Sequence, residues 1–261
     1  METGTVTTTG VQTDRPLAAD APSERLLRAK VLVVGIGGLG CPAAAQLARA
    51  GVGTVGLVDP DRVDLSNLHR QILHTSADLG RPKVDSARDK LAAIRPKLTV
   101  LTFPTALTAA NLADLFAGFN FVIDGTDSVA AKFLINDGAV LTGTPYSHAG
   151  ILGFRGQAMT VLPGRSTCYR CLFPLPPPPG EVPTCQEAGV VGVVGGALGI
   201  VQAAEAIKYL SGEGELLADR LLTFDALTLR WRTVRLHRNR LCPVCGDRPS
   251  IRSLSEDIHA A

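Results

Sequence analysis

The parts of this sequence able to do chemistry are six cysteines, a glycine-punctuated turn and a stretch of closely spaced acids and bases. Cys168 and Cys171 form one C-x-x-C pair and Cys242 and Cys245 another, with 70 residues between the pairs. Four thiolates in two such pairs make a closed tetrahedral set with no position open to substrate, the pattern of one structural zinc ion per chain. One C-x-x-C alone could be redox-active; the doubled pattern favours zinc, which would tether segment 242–246 to the middle of the chain and add folding energy. Gly35, Gly37 and Gly40 spell G-x-G-x-x-G, which offers a tight turn, room for a phosphate and close helix packing. Asp59 follows 19 residues after Gly40, where an acid commonly binds ribose hydroxyls. Such a turn can also be structural, and by itself it does not separate a dinucleotide from ATP.

The next segment bears on that choice. DPDRVDLSNLHRQ runs from Asp59 to Gln71, and Lys83 follows in GRPK. Asn67, Arg70 and Gln71 are spaced to converge from one helical turn. Arg70 and Lys83 would set two fixed positive charges beside the phosphate cradle, more than a pyrophosphate needs and suited to a triphosphate under attack. The alternative is a solvated basic helix face. DGTD (Asp124 to Asp127) ends a strand at the carboxyl edge of the expected sheet, where one acid, Asp127 before Asp124, could hold magnesium. Cys185 follows the proline-rich stretch and precedes a glycine-rich turn and helix, a setting that favours a thiolate; an inert buried cysteine is the alternative. Cys41 reads as a small core residue, and structural roles suit His69 and His148.

These groups need elements to hold them. KVLVV (Lys30 to Val34) is a short β-branched run suited to a strand buried on both faces. CPAAAQLARAG suits a helix packed closely on a sheet, TVGLV (Thr54 to Val58) a strand, and Arg81 to Ile94 an amphipathic helix. LTVLTF, NLADLFAG and FNFVID continue the alternation, which implies a mainly parallel sheet with helices on both faces. A helix is expected over Ser128 to Leu141, then shorter segments around Tyr146, Ile151 and Ala158 to Leu162. The prolines of Leu172 to Cys185 exclude a regular helix or central strand. In Gly189 to Gly212 the second half reads as a helix, buried or at a subunit interface, and RLLTFDALTLRWRTVRLHR as two antiparallel strands joined near Ala226. The expected organisation is a flexible arm over 1–24 and one α/β domain over 25–261, including a crossover loop at 172–187.

Composition sets the outer bounds. The chain has 261 residues, 46% hydrophobic and 19% charged, enough for a substantial core and against wholesale disorder. With 26 basic and 24 acidic residues, the net charge of +2 gives no nucleic-acid footprint. No run of 18 or more apolar residues suggests a membrane span, and METGTVTTTG does not read as a secretory signal. Cysteines without an export signal point to a reducing cytoplasm.

GIGGLGCPAA, DPDRVDLSNLHRQ, GRPKVDSARDKLAAI, DGTD and CQEAGVVGVVGGALG occur in the order seen in the ThiF/MoeB/HesA family, bacterial relatives of ubiquitin-activating enzymes. The resemblance spans Ala29 to about Gly246. It implies a Rossmann-like sheet with an antiparallel C-terminal part, and ATP-dependent adenylation of the C-terminal glycine of a ubiquitin-like sulfur carrier protein ending in Gly-Gly. Carried onto this chain, Gly35, Gly37, Gly38 and Gly40 would form the nucleotide turn, Asp59 would hold the ribose and Asp61 would belong to the same nucleotide site. Asn67, Arg70, Gln71 and Lys83 would bind phosphates, and Asp127 would serve Mg2+ and the acyl-adenylation step. The family pattern also agrees with zinc at Cys168, Cys171, Cys242 and Cys245, places Cys185 where some members carry a reactive cysteine, and implies a homodimer.

Two departures stand out. The family's N-terminal arginine helix, which reaches the partner subunit's ATP site, is replaced by VQTDRPLAADAPSERLLRAK, where Arg15, Arg25 and Arg28 are the candidates. No rhodanese-like segment follows Cys245, so sulfur is expected from a separate donor protein or through Cys185. Alternative functions are adenylation of another carboxylate, on a peptide or modified tRNA, and a non-catalytic zinc-containing interaction protein of the same fold.

Overall fold

A computed structural model of the protein describes residues 23–178, 181, 189 and 191–255. The arm with Arg15, and the segment with Cys185, lie outside the described residues.

Strands β1 (Lys30–Val34), β2 (Thr54–Val58), β3 (Thr99–Phe103) and β4 (Phe121–Asp124) are all parallel to their neighbours. They join β5 (Tyr146–Leu152), β6 (Arg155–Val161), β7 (Arg220–Asp225) and β8 (Arg230–Arg235) in one eight-stranded sheet. Its order is β3-β2-β1-β4-β5-β6-β7-β8, with β5 still parallel to β4 and the remaining pairs antiparallel. The mainly parallel half and antiparallel C-terminal half are therefore as expected, and Rossmann-like. Apolar β-branched runs such as KVLVV form the inner strands because helices cover both faces.

The helices are α1 (Glu24–Arg28), α2 (Gly40–Ala50), α3 (Lys83–Ile94), α4 (Leu112–Phe116), α5 (Val129–Thr142), α6 (Tyr169–Leu172) and α7 (Gly192–Ser211). One core lies among α2, α3, α7 and the parallel strands, with Val31, Val33, Leu47, Val55, Leu57, Leu91 and Ala203 fully or almost fully buried. A second lies under α4 and α5 and includes Phe116, Phe133, Tyr146, Cys168 and Cys242. Ser128 caps α5 by accepting from Ala131 N at 3.4 Å, and Gly143, in the left-handed region at φ 74°, ends it.

The glycine-rich first half of the last long helix is helical too, extending α7 well beyond the sequence expectation. Glycine costs helix stability, but here it permits contact. A Cβ on Gly199 would stand 2.3 Å from the Leu39 carbonyl oxygen and one on Gly195 2.9 Å from that of Gly38. The helix backbone thus lies directly against the nucleotide turn. By length and hydropathy α7 could cross a membrane, but it buries Val194, Leu198, Gln202, Ala203 and Glu205 within this fold, as a core helix does.

Gly199→Ala would gain up to about 1 kcal/mol of helix propensity and lose more to that clash. We expect a net loss of about 2 kcal/mol, read as a fall of roughly 5 °C in Tm by calorimetry.

Candidate active site

The parallel half winds outward in two directions, from β1 to β3 on one side and from β4 to β5 on the other. Between the carboxyl ends of β1 and β4, at this switch point, lies a cleft of about 380 Å³. Gly35 ends β1 with φ +86°, a left-handed conformation, and its missing Cβ would sit 2.8 Å from the Gly125 carbonyl oxygen. Gly40 is excluded from any other side chain by the Gly35 carbonyl oxygen, 1.9 Å from where a Cβ would be. These contacts draw the start of α2 onto the strand ends and turn the loop toward the cleft.

Gly35, Gly37, Gly38, Asp59, Asp61, Arg70, Gln71, Lys83 and Asp127 all line this cleft. Asp59 is buried, and its oxygens accept from the amides of Ile36 at 2.7 Å and Asp61 at 2.9 Å. Burial pushes the Asp59 carboxyl up, with the Lys83 ammonium pulling the other way. Lys83 Nζ stands 3.8 Å from Asp59 and 2.8 Å from Asp61, so two acids hold it at the rim.

Asn67, Arg70 and Gln71 do converge, but on a 3-10 turn at Leu65–Asn67 followed by tight turns, not on an α-helical turn. Asn67 stands behind the wall: its Oδ1 accepts from Arg70 Nη2 at 2.6 Å, aiming the guanidinium. Gln71 is buried, its Oε1 unpartnered among the described residues. His69 is exposed beside Arg70, with its Nε2 3.4 Å from the guanidinium.

The two acids of DGTD part company. Asp127 is exposed at the mouth of the cleft. Asp124 is fully buried and holds Lys132 Nζ at 3.0 Å, His148 Nδ1 at 2.9 Å and the Thr126 hydroxyl at 2.6 Å. Burial opposes its charge, but the Lys132 ammonium, His148 and Thr126 together hold the carboxyl well below the usual range. Lys132 also donates to the carbonyls of Thr126 (2.8 Å) and Ala149 (2.6 Å), locking the loop that carries Asp127. Sequence reasoning missed Lys132; its signal is one cation within the apolar helix VAAKFLIN. Gln202 was missed as well: it donates from α7 to the carbonyls of Asp124 (2.7 Å) and Ser147 (3.0 Å).

Cys41 is buried as expected, its thiol pushed up to about 12 by burial, which leaves no reactive thiolate. It sits 3.7 Å from His74, whose other ring nitrogen is 2.9 Å from Ser86. Arg25 donates to the Ser211 carbonyl and Arg28 pairs with Glu24. Their helix packs against α7 and leads into the amino end of β1, across the sheet from the cleft, so neither arginine serves the site of its own chain.

The four paired cysteines come together. Sγ atoms are 3.5 Å apart for Cys168–Cys242, 3.4 Å for Cys171–Cys245 and 3.9 Å for Cys168–Cys171, with all four inside 4.8 Å. Tetrahedral Zn–S bonds of about 2.3 Å imply S···S edges of about 3.8 Å, whereas a disulfide needs about 2.05 Å. The set fits zinc. Cys171 N donates to the Cys168 carbonyl and Gly246 N to that of Cys242, closing a turn at each pair. Between the first pair, buried Arg170 spans to Asp137 of α5 with Nε 2.8 Å from both carboxylate oxygens.

Beyond Asp127 the cleft opens into a second groove of about 1180 Å³ over β5–β8, floored by residues such as Gly150, Gly156, Gln157 and Thr223 and edged by Arg155, Arg230 and Arg232. The two cavities share Asp127, Ser128, Lys132 and Ile151.

A nucleotide-sized cleft at a glycine turn, continuous with a larger groove, defines an α/β nucleotide-binding protein. The chain belongs to the ThiF family, which it matches over residues 12–244. It is 46% identical over 244 residues to a sulfur carrier protein adenylyltransferase of Thermus thermophilus, covering 92% of this chain and 90% of that protein. It is also 46% identical over 224 residues to the probable adenylyltransferase/sulfurtransferase MoeZ of Mycobacterium tuberculosis. That match covers 84% of this chain but only 57% of MoeZ. A crystal structure of E. coli MccB with MccA-N7isoASN shares the fold, with TM-score 0.78 at 21% identity over 85% of this chain and 68% of that one.

Two outcomes are expected. Purified protein should carry about one zinc by metal analysis, and Cys168→Ala should lose both metal and thermal stability. Because the Asp124 carboxyl is held low in the folded state, its ionisation stabilises the fold above the unfolded value of about 3.9 and progressively less as pH falls further. Asp124→Asn should therefore lower Tm at neutral pH and flatten the acid limb of a Tm–pH profile.

Proposed function

We propose that this protein uses ATP to adenylate the C-terminal glycine of a ubiquitin-like sulfur carrier protein, preparing it for thiocarboxylate formation. The observation that carries the reading is the junction of the two cavities at Asp127, in a chain nearly half identical to an enzyme named for this activity. An extended tail ending in Gly-Gly would lie along the groove and deliver its carboxylate past Asp127 to the nucleotide cleft.

In the proposed reaction a tail carboxylate oxygen attacks the α-phosphorus of ATP. The bond from that phosphorus to the bridging oxygen breaks, and pyrophosphate leaves with the electron pair. No proton need move, so the protein's task is to position the reactants and neutralise charge. Asp59 would hold the ribose, with Asp61 beside it, and the amides of the Gly35–Gly40 turn would face the phosphates. Arg70, Gln71 and Lys83 would take up phosphate charge, while Asn67 keeps Arg70 aimed. Asp127 would hold Mg2+, which neutralises the departing pyrophosphate when bound.

Zinc at the four cysteines would be structural. Adenylation itself needs no protein thiol, so Cys185 belongs to a later sulfur step with a separate donor protein, or to none. A homodimer would let an arm arginine reach a neighbour's site; Arg15 is the candidate left, since Arg25 and Arg28 are engaged within their own chain. A reducing cytoplasm suits the thiolates.

The test is carrier-dependent ATP–pyrophosphate exchange. Asp127→Ala should lower it at least 100-fold while Tm stays within a few degrees, and Cys185→Ser should leave it intact. Exchange at the wild-type rate in Asp127→Ala would remove that residue from the mechanism. Absence of exchange with every Gly-Gly-ending carrier, from folded and zinc-loaded protein, would remove the function.

A further inference from the structure

His148 has an interaction left open. Its ring is buried in β5, with Nδ1 2.9 Å from the ionised Asp124 carboxylate and the ring face against Tyr169 at 4.5 Å between centroids. Nε2 has no partner among the described residues, and an unpaired buried polar atom costs free energy. Burial lowers the affinity of this imidazole for a second proton, Asp124 opposing that only in part, so the ring is neutral near pH 7. With the proton on Nδ1 facing the carboxylate, Nε2 presents a lone pair. It needs a donor.

The surroundings show where a donor could come from. His148 lines the long groove a short way from Asp127, and so does Gly150, two residues along the same strand and on the same face. A Cβ on Gly150 would lie 3.6 Å from Nε2, so only this glycine's bare backbone stands between the buried nitrogen and the groove on that side. An extended peptide laid over Gly150 would bring a backbone N–H nearest to that nitrogen.

We propose that His148 is a positioning residue for the incoming chain, its Nε2 accepting a hydrogen bond from a backbone N–H near the Gly-Gly end of the tail. Asp124 orients the acceptor through Nδ1, and the same carboxylate holds Lys132 and the loop of Asp127. Tail register and the acid at the reaction centre are thereby set by one buried group. The proposal rests on the carrier-tail reading above.

The test uses the full chain and a short synthetic peptide ending in Gly-Gly, with an ester replacing each of its last amides in turn. An ester keeps the shape and removes the N–H. One ester should weaken binding to wild type about tenfold by calorimetry and make no difference in His148→Phe. Gly150→Ala, which covers Nε2 without altering the imidazole, should weaken the all-amide peptide similarly, and His148→Gln should recover part of the loss. ATP affinity should be unchanged in Gly150→Ala, which leaves the Asp124 network intact. If every ester binds wild type as the amide does, or the ester penalty persists in His148→Phe, the proposal falls. Exchange measured with the same peptide separates the two readings. Peptide binding with the ester pattern but no exchange defeats adenylation alone, exchange without the pattern defeats the His148 role alone, and a peptide that neither binds nor exchanges defeats both.

Discussion

A carboxylate buried at the end of a central strand organises this protein. Asp124 is wholly enclosed, and a charge in that position is tolerated only when neighbouring groups answer it. Lys132 answers from α5, His148 from β5 and Thr126 from the following loop, while Gln202 of α7 binds the same residue's carbonyl. Elements from both faces of the sheet thus meet at one residue. Such a network defines a geometry more than it adds stability, because moving any member leaves another polar group unpaired in low dielectric. Its product is a fixed loop from which Asp127 projects.

The sheet divides its labour at the same place. Strands β1 to β4 run parallel, so their carboxyl ends and the turns after them collect on one edge, and a cleft forms where the winding reverses. From β5 onward the strands are antiparallel, and one face carries the long groove. Asp127 stands where the two cavities meet. A small ligand and an extended chain can therefore approach one point from different directions.

Much of this was legible in the sequence because it rests on local rules. The glycine turn, the strand-end acids and the paired cysteines declare themselves by residue type and spacing, and the structure gathers each group. Errors arose where tertiary contact decided the outcome. The glycines of α7 look like helix breakers until the nucleotide turn is seen lying against them. The bond from Arg70 to Asn67 could not be read from their spacing, because a 3-10 turn rather than an α-helical one sets it. DGTD favoured Asp127 over Asp124 as the working acid but gave no sign that burial and the reach of Lys132 make Asp124 a keystone while Asp127 stays exposed. Lys132 and Gln202 look like stray polar residues, since their partners are strands distant in sequence.

The cysteine cluster has an evolutionary consequence. It pins the chain at Cys168 and Cys171 and again at Cys242 and Cys245, closing a loop that holds the proline-rich stretch, α7 and the β7–β8 hairpin. The entropy of closing such a loop grows only with the logarithm of its length, so doubling it costs only about 0.6 kcal/mol more. Surface segments inside the staple can therefore lengthen, shorten or change composition with little penalty, provided the knuckles at either end stay in place. Arg230 and Arg232, which edge the groove, lie inside it. The groove's arginine edge is free to diversify, while the parallel half with its glycine turn lies outside the staple and is bound to its geometry by backbone contacts that admit no side chain.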